Sequence, residues 1–499
     1  MSSNKEHTAI KDAPTHEEYN QLLINYQQLQ REYAYVKQEL AQLKRMIFGS
    51  KSERYIPEDT GQLTLDLQEE EQKPDIQPKM EEISYKRKKT TKKKNTPVRL
   101  ALPSHLHREE IRIEPQQNVT DAKKIGEEIT EILEYIEGKF YVKKYVRSKF
   151  ALPDEQGVVI GDLPTLPIPR GNAGPGLLSH LLISKFVDHL PFYRQVQQFK
   201  RQDITIAEST ISGWFKASCR LLTPLYNRMT EKIQGSNYLM ADETPIPVQT
   251  SQKPGSTHKG YHWVYYDPIN KLVCFDYKKG RGRDGPRQFL KNFKGALQTD
   301  GYNAYDIFED RDEITLLGCM AHARRKFDEA RENDPERARY VLGKMQDLYT
   351  VERRAREEQM DYEARKKLRQ KESLPVMQEL KVWLREQQTD VLPKSVIGKA
   401  ITYTLGMWKR LERYVEDGSR EIDNNLIENS IRPVALGRKN YLFAGSHEGA
   451  KQAAMLYSFL GTCKINNVEP FQWLKETLSA IPDYSIKNLE ELLPGFKKV

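Results

Sequence analysis

The sequence predicts a multidomain α/β protein with a mixed sheet at its centre. The chain has 499 residues, too many for one ordinary hydrophobic core, which favours about two to four domains. Between Asn237 and His322 lie strand-like segments that are rich in aromatic and β-branched residues. In order they are NYLMAD, GYHWVYYDP, KLVCFDYKKG, GALQTDGY and EITLLGCMAH. The helical segment DGPRQFLKNF separates the third from the fourth, and this order predicts a mixed α/β sheet.

The segments that surround the predicted sheet have helical patterns. Between residues 171 and 235, GLLSHLLISKFVDHL, FYRQVQQFKRQ and ITIAESTISGWFKASCRLL predict three helices. Two of them joined by a tight turn resemble a helix-turn-helix, and an all-helical packing module is an equally good interpretation. In the first case the outer face of the second helix would carry Ser209, Thr210, Ser212 and Lys216.

A long charged stretch, from Ala323 to about Gly418, is also predicted to be helical. It contains VERRAREEQMDYEARKKLRQKE, and breaks are predicted at Pro375 and Pro393. The segment that follows carries Glu428, and Pro433 predicts that any helix there is short or kinked.

The N-terminal region has the pattern of a coiled coil. Apolar residues from Leu22 to Ile47 recur in alternating steps of three and four, and Thr15 with Glu18 forms a capping box upstream. A single amphipathic helix on the protein's own core is the alternative. The strict alternation favours self-association, and hence a homo-oligomer of at least two chains.

A charged linker follows the predicted coiled coil. It is acidic around LQEEEQKPD and then strongly basic in YKRKKTTKKKN. Such a run forms either a solvated spacer or an arm that contacts DNA phosphates without sequence preference, and both are equally consistent with it. Its cations are Lys86, Arg87, Lys88, Lys89, Lys92, Lys93 and Lys94.

Composition narrows the class of protein. The formal charge of +9 is clustered in such runs, which is typical of nucleic-acid partners. The four cysteines have no paired spacing, so we expect a reducing cytoplasm. No apolar stretch is long enough to span a bilayer, so no membrane association is expected.

Three carboxylates stand out together. Taken singly, Asp242 and Asp300 are typical turn residues at strand ends, and Glu428 is typical of a helix ion pair with Arg432. Adjacent strands would bring the two aspartates close, and a helix packed on the sheet could supply the glutamate. Converging carboxylates repel each other unless cations neutralise them, and oxygen ligands suit Mg²⁺. Two such ions could stabilise both the attacking and the leaving oxygen of a displacement reaction.

The motifs ADETP, LQTDGYNAY, GCMAHARRKF and EIDNNLIENSIRPVALGRKNYLFAGS resemble those of the insertion-sequence-66 family of bacterial DDE transposases. The resemblance extends from FGSKSER to NNVEPFQWLKETL. It implies a ribonuclease-H-like catalytic domain with Asp242, Asp300 and Glu428 as catalytic and metal-binding residues. It also implies two Mg²⁺ ions, with Mn²⁺ as a possible substitute, and a cytoplasmic, nucleoid-associated bacterial protein.

The residue patterns and the resemblance together predict the domain organisation. The expected N-terminal parts are a coiled-coil helix (1–55), a charged linker with a basic arm (56–98), a zinc-module-like region (99–170) and a helical DNA-binding region (171–235). A catalytic core follows in two segments (236–322 and 419–450), which are separated by a helical insertion (323–418). A C-terminal helical tail (451–499) ends the sequence. Relatives usually carry two Cys-x-x-Cys pairs in the zinc module. This chain has none there, so no zinc is expected.

On this basis we expect a transposase that binds terminal inverted repeats and transfers the cleaved strand to target DNA. Residues expected to contact DNA near the active site are His322, Arg324, Arg325, Lys326, Asn424, Asn425, Arg432, Arg438 and Lys439. Elements of the family often encode small accessory proteins, which are further candidate partners. The alternatives are a hydrolysis-only nuclease on the same fold and an inactive DNA-binding descendant.

Overall fold

The computed structural model describes residues 28, 138, 140–146, 149–151, 158–160, 164–169, 171–250 and 256–496. The predicted coiled coil, apart from Gln28, the basic arm and most of the zinc-module-like region lie outside these residues. The chain divides into a unit of Ser52–Leu163 and a larger unit of Met1–Lys51 with Pro164–Val499. In the smaller unit, strand β1 (Lys149–Ala151) pairs antiparallel with β2 (Val158–Ile160).

The larger unit contains a five-stranded mixed sheet, and all five predicted strands are confirmed. The strands are β3 (Tyr238–Gln249), β4 (Thr257–Asp267), β5 (Leu272–Lys278), β6 (Gly295–Gln298) and β7 (Ile314–Leu317). Their order in the sheet is β5-β4-β3-β6-β7. Strand β4 is antiparallel to both of its neighbours, β3 and β5, whereas β6 is parallel to β3 and to β7. Strand β3 is therefore central.

A short helix and a glycine connect the two parts of the sheet. Helix α4 (Asp284–Phe289) lies where the sequence predicts it, between β5 and β6. The first residue of β6, Gly295, has a φ of +131°, and a Cβ there would collide with the backbone of Asn237. Glycine is needed at this position because only a residue without a side chain fits.

The three helices predicted before the sheet are confirmed as α1 (Pro175–Phe186), α2 (Phe192–Lys200) and α3 (Glu208–Gln234). Helix α3 packs one apolar face against β5, where the Tyr226 hydroxyl donates to the carbonyl of Phe275 at 2.8 Å. Helix α12 (His447–Ile465) also packs against this edge strand. The hydroxyl of Ser458 accepts from the backbone N–H of Phe275 at 2.8 Å. These contacts cover an edge that could otherwise pair with another chain.

The stretch between β7 and residue 418 is helical, as predicted. Its elements are α5 (Met320–Glu329), α6 (Pro335–Glu357), α7 (Tyr362–Leu368), a π-helical turn (Arg369–Ser373), α8 (Leu374–Asp390), α9 (Val396–Gly406), α10 (Trp408–Glu412) and a 3₁₀ turn (Arg413–Glu416). The break near Pro393 is confirmed, because it lies between α8 and α9. Near Pro375 the helical path continues, but one element ends and another begins: the π-helical turn ends at Ser373 and α8 begins at Leu374. Pro375 therefore lies in the first turn of α8, where proline is tolerated.

Helix α11 (Asn425–Tyr441) packs against β3, and helices α12 and α13 (Pro470–Ala480) follow. Pro433 lies inside α11, which nevertheless spans 17 residues, so the helix is not short. Two 3₁₀ turns, Ile481–Asp483 and Ile486–Leu492, end the described chain. Among the described helices, none has the length and apolar character needed to cross a bilayer.

Candidate active site

Asp242 and Asp300 lie side by side at one end of the parallel strand pair. The last register pair joins Met240 of β3 to Gln298 of β6, and each aspartate follows its strand's paired residue by two positions. The expectation that Asp242 ends its strand is wrong, because β3 continues to Gln249. Burial, together with the negative charges of Asp300, Glu243 and Glu428, raises the pKa of Asp242 well above its usual value. This carboxylate therefore lacks compensating positive charge.

The Asp300 loop is held by the helical insertion. The Asp300 carboxylate accepts the backbone N–H of Tyr302 at 2.8 Å, and its carbonyl accepts the Tyr403 hydroxyl of α9 at 3.0 Å. Gly301 has a φ of +90°, where a Cβ would approach the Tyr403 hydroxyl to 3.3 Å. The Asp300–Gly301 pair thus forms a turn and also orients the Asp300 carboxylate. Asp300 can therefore be both a turn residue and a candidate metal ligand.

Glu428 lies in the first turn of α11, on the helix that packs against β3. Its Oε1 is 4.0 Å from Nδ1 of His322, a residue of α5. Burial lowers the pKa of His322, an effect that the charge of Asp300 opposes. The charges of all three predicted carboxylates therefore reach a common region, into which His322 also projects.

The beginning of α11 is rigidly fixed. The Asp423 carboxylate accepts from the Tyr349 hydroxyl at 2.8 Å, from the side-chain amide of Asn425 at 2.8 Å and from its backbone N–H at 3.0 Å. Asn424 is fully buried, and within the described residues its side-chain amide has no hydrogen-bond partner. A buried polar group without a partner is costly, and this one lies four residues before Glu428.

Cys319 has a structural role at the same junction. It is buried directly after β7, and its Sγ accepts the backbone N–H of Asn424 at 3.2 Å. Burial, with the charge of Asp423, raises the pKa of its thiol to about 12. The thiol is therefore protonated at neutral pH, and it links the end of the sheet to the beginning of α11.

The other residues expected to bind DNA occupy three surfaces. Ser209, Thr210 and Lys216 are exposed near the beginning of α3, and Ser212 is half-buried there. On α5, Arg325 is exposed, and Arg324 and Lys326 are half-buried. On α11, Arg432 and Lys439 are exposed, whereas Arg438 is half-buried and donates to the carbonyl of Pro245 in β3.

A charged pair that the sequence did not reveal lies beside Asp242. The side chain of Glu243 is only 1% exposed, and its Oε1 accepts from Nε of Arg281 at 2.7 Å. The Arg281 guanidinium lies 4.0 Å above the ring of Tyr302, which follows Asp300. Burial raises the pKa of Glu243, although Arg281 partly offsets this shift. The basic run RGR after β5 indicates a cationic segment, but the sequence does not show that Arg281 pairs with Glu243.

The chemistry of the donor set fits a hard divalent cation. Asp242, Asp300 and Glu428 offer only oxygen ligands, which Mg²⁺ and Mn²⁺ prefer. The raised pKa of Asp242 indicates that a cation would relieve unfavourable negative charge. Within the described ranges, no three His, Cys, Asp or Glu side chains are close enough together to hold an ion as they stand. Side-chain movements would therefore have to accompany the binding of an ion.

Comparison with known proteins defines the class of protein. The model described as "Transposase IS66 family" matches residues 170–452, which include the sheet, the insertion and α11. The models "Transposase C of IS166 homeodomain" and "IS66 C-terminal element" match residues 36–111 and 458–494. The chain therefore belongs to the IS66 family of transposases. Family membership supports a transposase that acts on DNA.

Two relatives that align with most of this chain have names that describe no function. The chain is 32% identical to "Uncharacterized protein y4jD" of Sinorhizobium fredii, over 95% of this chain and 97% of that protein. It is 31% identical to "Uncharacterized protein y4hP" of the same organism, over 80% of this chain and 76% of that protein. No solved structure matches the chain.

Proposed function

We propose that this protein is a DDE transposase with a ribonuclease-H-like catalytic domain. It binds the terminal inverted repeats of an insertion sequence, cleaves a strand at each end and joins the freed 3′ ends to target DNA. The family assignment and the mixed sheet, with three antiparallel strands followed by two parallel ones, support this proposal.

One observation carries the catalytic assignment. Asp242 and Asp300 each lie two residues past the last register pair of two adjacent parallel strands, and the charges of Asp300 and Glu428 both raise the pKa of Asp242. Structural ion-pair networks also shift pKa values, but they normally pair each carboxylate with a cation. A half-buried carboxylate that faces other carboxylates is expected at a site that binds cations.

In the proposed site Asp242, Asp300 and Glu428 would hold two Mg²⁺ ions, or Mn²⁺ in their place. When bound, such ions activate the attacking oxygen and stabilise the leaving oxygen, so the protein needs no nucleophile of its own. The chain's own cations Arg325, Arg432 and Lys439 would bind phosphates on either side of the scissile bond. His322 would orient the bound strand beside Glu428, and Asn424 and Asn425 would orient the loop that leads into α11.

DNA recognition would be shared among several parts of the chain. The exposed residues at the beginning of α3 would contact the inverted repeat, and the basic run from Lys86 to Lys94 would add affinity for any duplex. The predicted N-terminal coiled coil would pair two chains, so that both element ends are held in one complex. Accessory proteins encoded by the same element are further proposed partners.

The proposal is tested by cleavage and joining of labelled duplexes that carry the element ends, with Mg²⁺ or Mn²⁺. Wild type is compared with Asp242→Asn and Asp300→Asn. The matched control is Asp276→Asn, which changes a half-buried carboxylate two strands from the site. We expect nicking at the repeat boundary and joined products with wild type and the control only.

Two other outcomes would favour the alternatives. Metal-dependent nicking that never yields joined products would indicate a hydrolysis-only nuclease. Specific end binding without cleavage, unchanged when the neighbouring gene products of the element are added, would indicate an inactive DNA-binding protein. Full cleavage by Asp242→Asn would contradict the assignment of the triad.

A further inference from the structure

A buried hydrogen-bonded junction joins the three elements that carry the predicted carboxylates. The Tyr238 hydroxyl donates to Oε1 of Gln298 at 2.5 Å and accepts the backbone N–H of Glu421 at 2.9 Å. The Gln298 side-chain amide donates to the carbonyls of Glu421 at 2.9 Å and Gly318 at 3.0 Å. Tyr238 and Gln298 are both buried.

The positions of these residues relate the junction to the site. Tyr238 begins β3, and Asp242 lies four residues further on the same strand face. Gln298 ends β6, two residues before Asp300. Glu421 lies seven residues before Glu428, in the segment that leads into α11. The junction therefore connects the strands of both aspartates to the helix of the glutamate.

The helical insertion holds the other side of the same segment. Arg365 of α7 forms a two-pronged pair with Glu421, with both N–O distances at 2.9 Å. Arg369, in the π-helical turn, is fully buried and donates to the carbonyls of Tyr414, Asp417 and Arg420 at 2.8–2.9 Å. Both guanidinium groups also bind the buried carboxylate of Glu352 on α6.

We propose that Tyr238 is a positioning residue for catalysis, and that the insertion sets the position of Glu428 through Arg365 and Glu421. This inference rests on the proposed function, because it assumes that Asp242, Asp300 and Glu428 bind metal ions together. The insertion is then a part of the catalytic unit, and its role extends beyond separating Asp300 from Glu428 in the sequence.

Hydrogen-bond geometry explains why this junction constrains the site. The donors and the acceptor of the Gln298 side chain are all in use, so its position is fixed. Removal of the Tyr238 hydroxyl would leave Oε1 of Gln298 and the N–H of Glu421 without this partner in a buried place, which favours a shift of the segment. Metal ligands tolerate only small displacements, so a shift of α11 would weaken ion binding.

The chain offers a matched pair of variants, Tyr238→Phe and Tyr265→Phe. Both remove one hydroxyl from a fully buried tyrosine of the central sheet. Tyr265 lies on β4 opposite Ala241, and its hydroxyl has no hydrogen-bond partner in the described structure. Loss of the Tyr265 hydroxyl should leave the junction intact. Comparison of the two variants therefore distinguishes the loss of the junction's hydrogen bonds from the loss of a buried hydroxyl as such.

The first measurement uses electron paramagnetic resonance to determine the affinity of the full chain for Mn²⁺ in the absence of DNA. We expect Tyr238→Phe to weaken binding about 10- to 100-fold, as for residues that orient metal ligands elsewhere. Tyr265→Phe should match wild type, and all variants should bind element-end DNA normally. Equal Mn²⁺ affinity of the two tyrosine variants would overturn the inference.

Asp242→Asn, measured alongside, distinguishes failure of this inference from failure of the proposed function. If Asp242→Asn loses Mn²⁺ binding and Tyr238→Phe keeps it, only the positioning role is wrong. If Asp242→Asn binds Mn²⁺ as wild type does, the triad assignment fails, and the positioning role falls with it.

The contribution of the insertion is tested by Glu421→Gln. This substitution keeps the backbone bonds of residue 421 to Tyr238 and Gln298, but removes the negative charge that faces Arg365. We expect Glu421→Gln to weaken Mn²⁺ binding. In the double variant with Tyr238→Phe, the fold-loss of Mn²⁺ affinity should be smaller than the product of the two single fold-losses, because both substitutions act on one segment. Independent, multiplicative effects, or no effect of Glu421→Gln, would contradict control by the insertion.

Discussion

Asp242 and Asp300 lie at matching positions of the parallel pair β3 and β6, each two residues past the register pair of Met240 and Gln298. Beyond Met240, strand β3 pairs with β4 but no longer with β6. The two carboxylates therefore lie where the central strands separate. Ligands of open α/β sheets commonly bind at such a place, outside the carboxyl ends of the strands.

The first prediction concerns stability, because burial and the charge of Asp300 raise the pKa of Asp242. A raised folded-state pKa means that the ionised carboxylate destabilises the fold at neutral pH, and that this penalty disappears below the unfolded-state pKa of about 4. In a chelating buffer Asp242→Asn should therefore raise the free energy of unfolding at pH 7 by about 1 kcal/mol or more. The gain should vanish near pH 3.

Thermal unfolding of wild type and Asp242→Asn at several pH values measures this effect. Asp284→Asn, which changes a fully solvated carboxylate on α4, is the control and should not alter the melting temperature. A melting temperature of Asp242→Asn that is lower than that of wild type at pH 7 would show that the carboxylate has a stabilising partner instead.

The strands were predictable because their alternation and their bounding turn residues are local signals. The length of β3 was not. Pro245 and Pro247 indicate a strand end, yet both lie within β3, paired with Tyr261 and Lys259 of β4. The strand tolerates them because β6 no longer pairs with it at these positions, so the missing N–H groups interrupt no bonds on that side.

The carboxylates of the candidate site were predictable as a set, but the residues that hold them in place were not. Glu352, Arg365 and Arg369 belong to a charged run that looks solvated in the sequence, although all three are buried. The periodicity of the sequence does not distinguish the few charged side chains of such a helix that are buried from the many that are exposed. Their roles depend on Glu421 and on the carbonyls near it, which are distant in the chain.

The second prediction concerns the basic run from Lys86 to Lys94, which lies outside the described residues. Its seven cations would release counterions on binding a duplex, so the salt dependence of DNA affinity should be steep. Replacing all seven with glutamine should reduce the slope of log affinity against log salt by up to about 6. Fluorescence anisotropy with element-end and scrambled duplexes measures the slope for both.

The control for this prediction replaces Lys366, Lys367 and Lys371, which are exposed on α7 and the π-helical turn. Their loss should leave the slope nearly unchanged. If the variant of the basic run has the slope of wild type, the run is a spacer.

The third prediction concerns self-association. Deleting residues 1–47 removes the predicted coiled coil, and the resulting chain should have the mass of a monomer by light scattering, whereas wild type should be at least a dimer. A Leu29→Asp, Val36→Asp double substitution in the full chain should do the same, because charges at these positions disrupt the apolar stripe. An unchanged mass of both variants would mean that this segment does not mediate the association.

The last prediction concerns the buried carboxylate of the insertion. Burial alone would raise the pKa of Glu352, but its hydrogen bonds and ion pairs with Arg369 and Arg365 lower it below the usual value. A depressed folded-state pKa stabilises the fold above the unfolded-state value of about 4.3, and this stabilisation is lost as the pH falls through the folded-state pKa. Glu352→Gln leaves two buried guanidinium groups with less negative charge, so it should lower the free energy of unfolding at pH 7 by about 3–5 kcal/mol.

Urea unfolding at pH values from 7 down to 3 checks this prediction. The difference between wild type and Glu352→Gln should narrow as the pH falls below about 4, because the unfolded wild-type chain then binds a proton that the folded chain does not. It should level off once the pH has passed the depressed folded-state pKa of Glu352. Glu379→Gln changes an exposed glutamate that pairs with Lys344 at 2.7 Å on the same insertion, and it should have little effect at any pH. A constant difference over the whole pH range would mean that packing of the Glu352 side chain matters more than its charge.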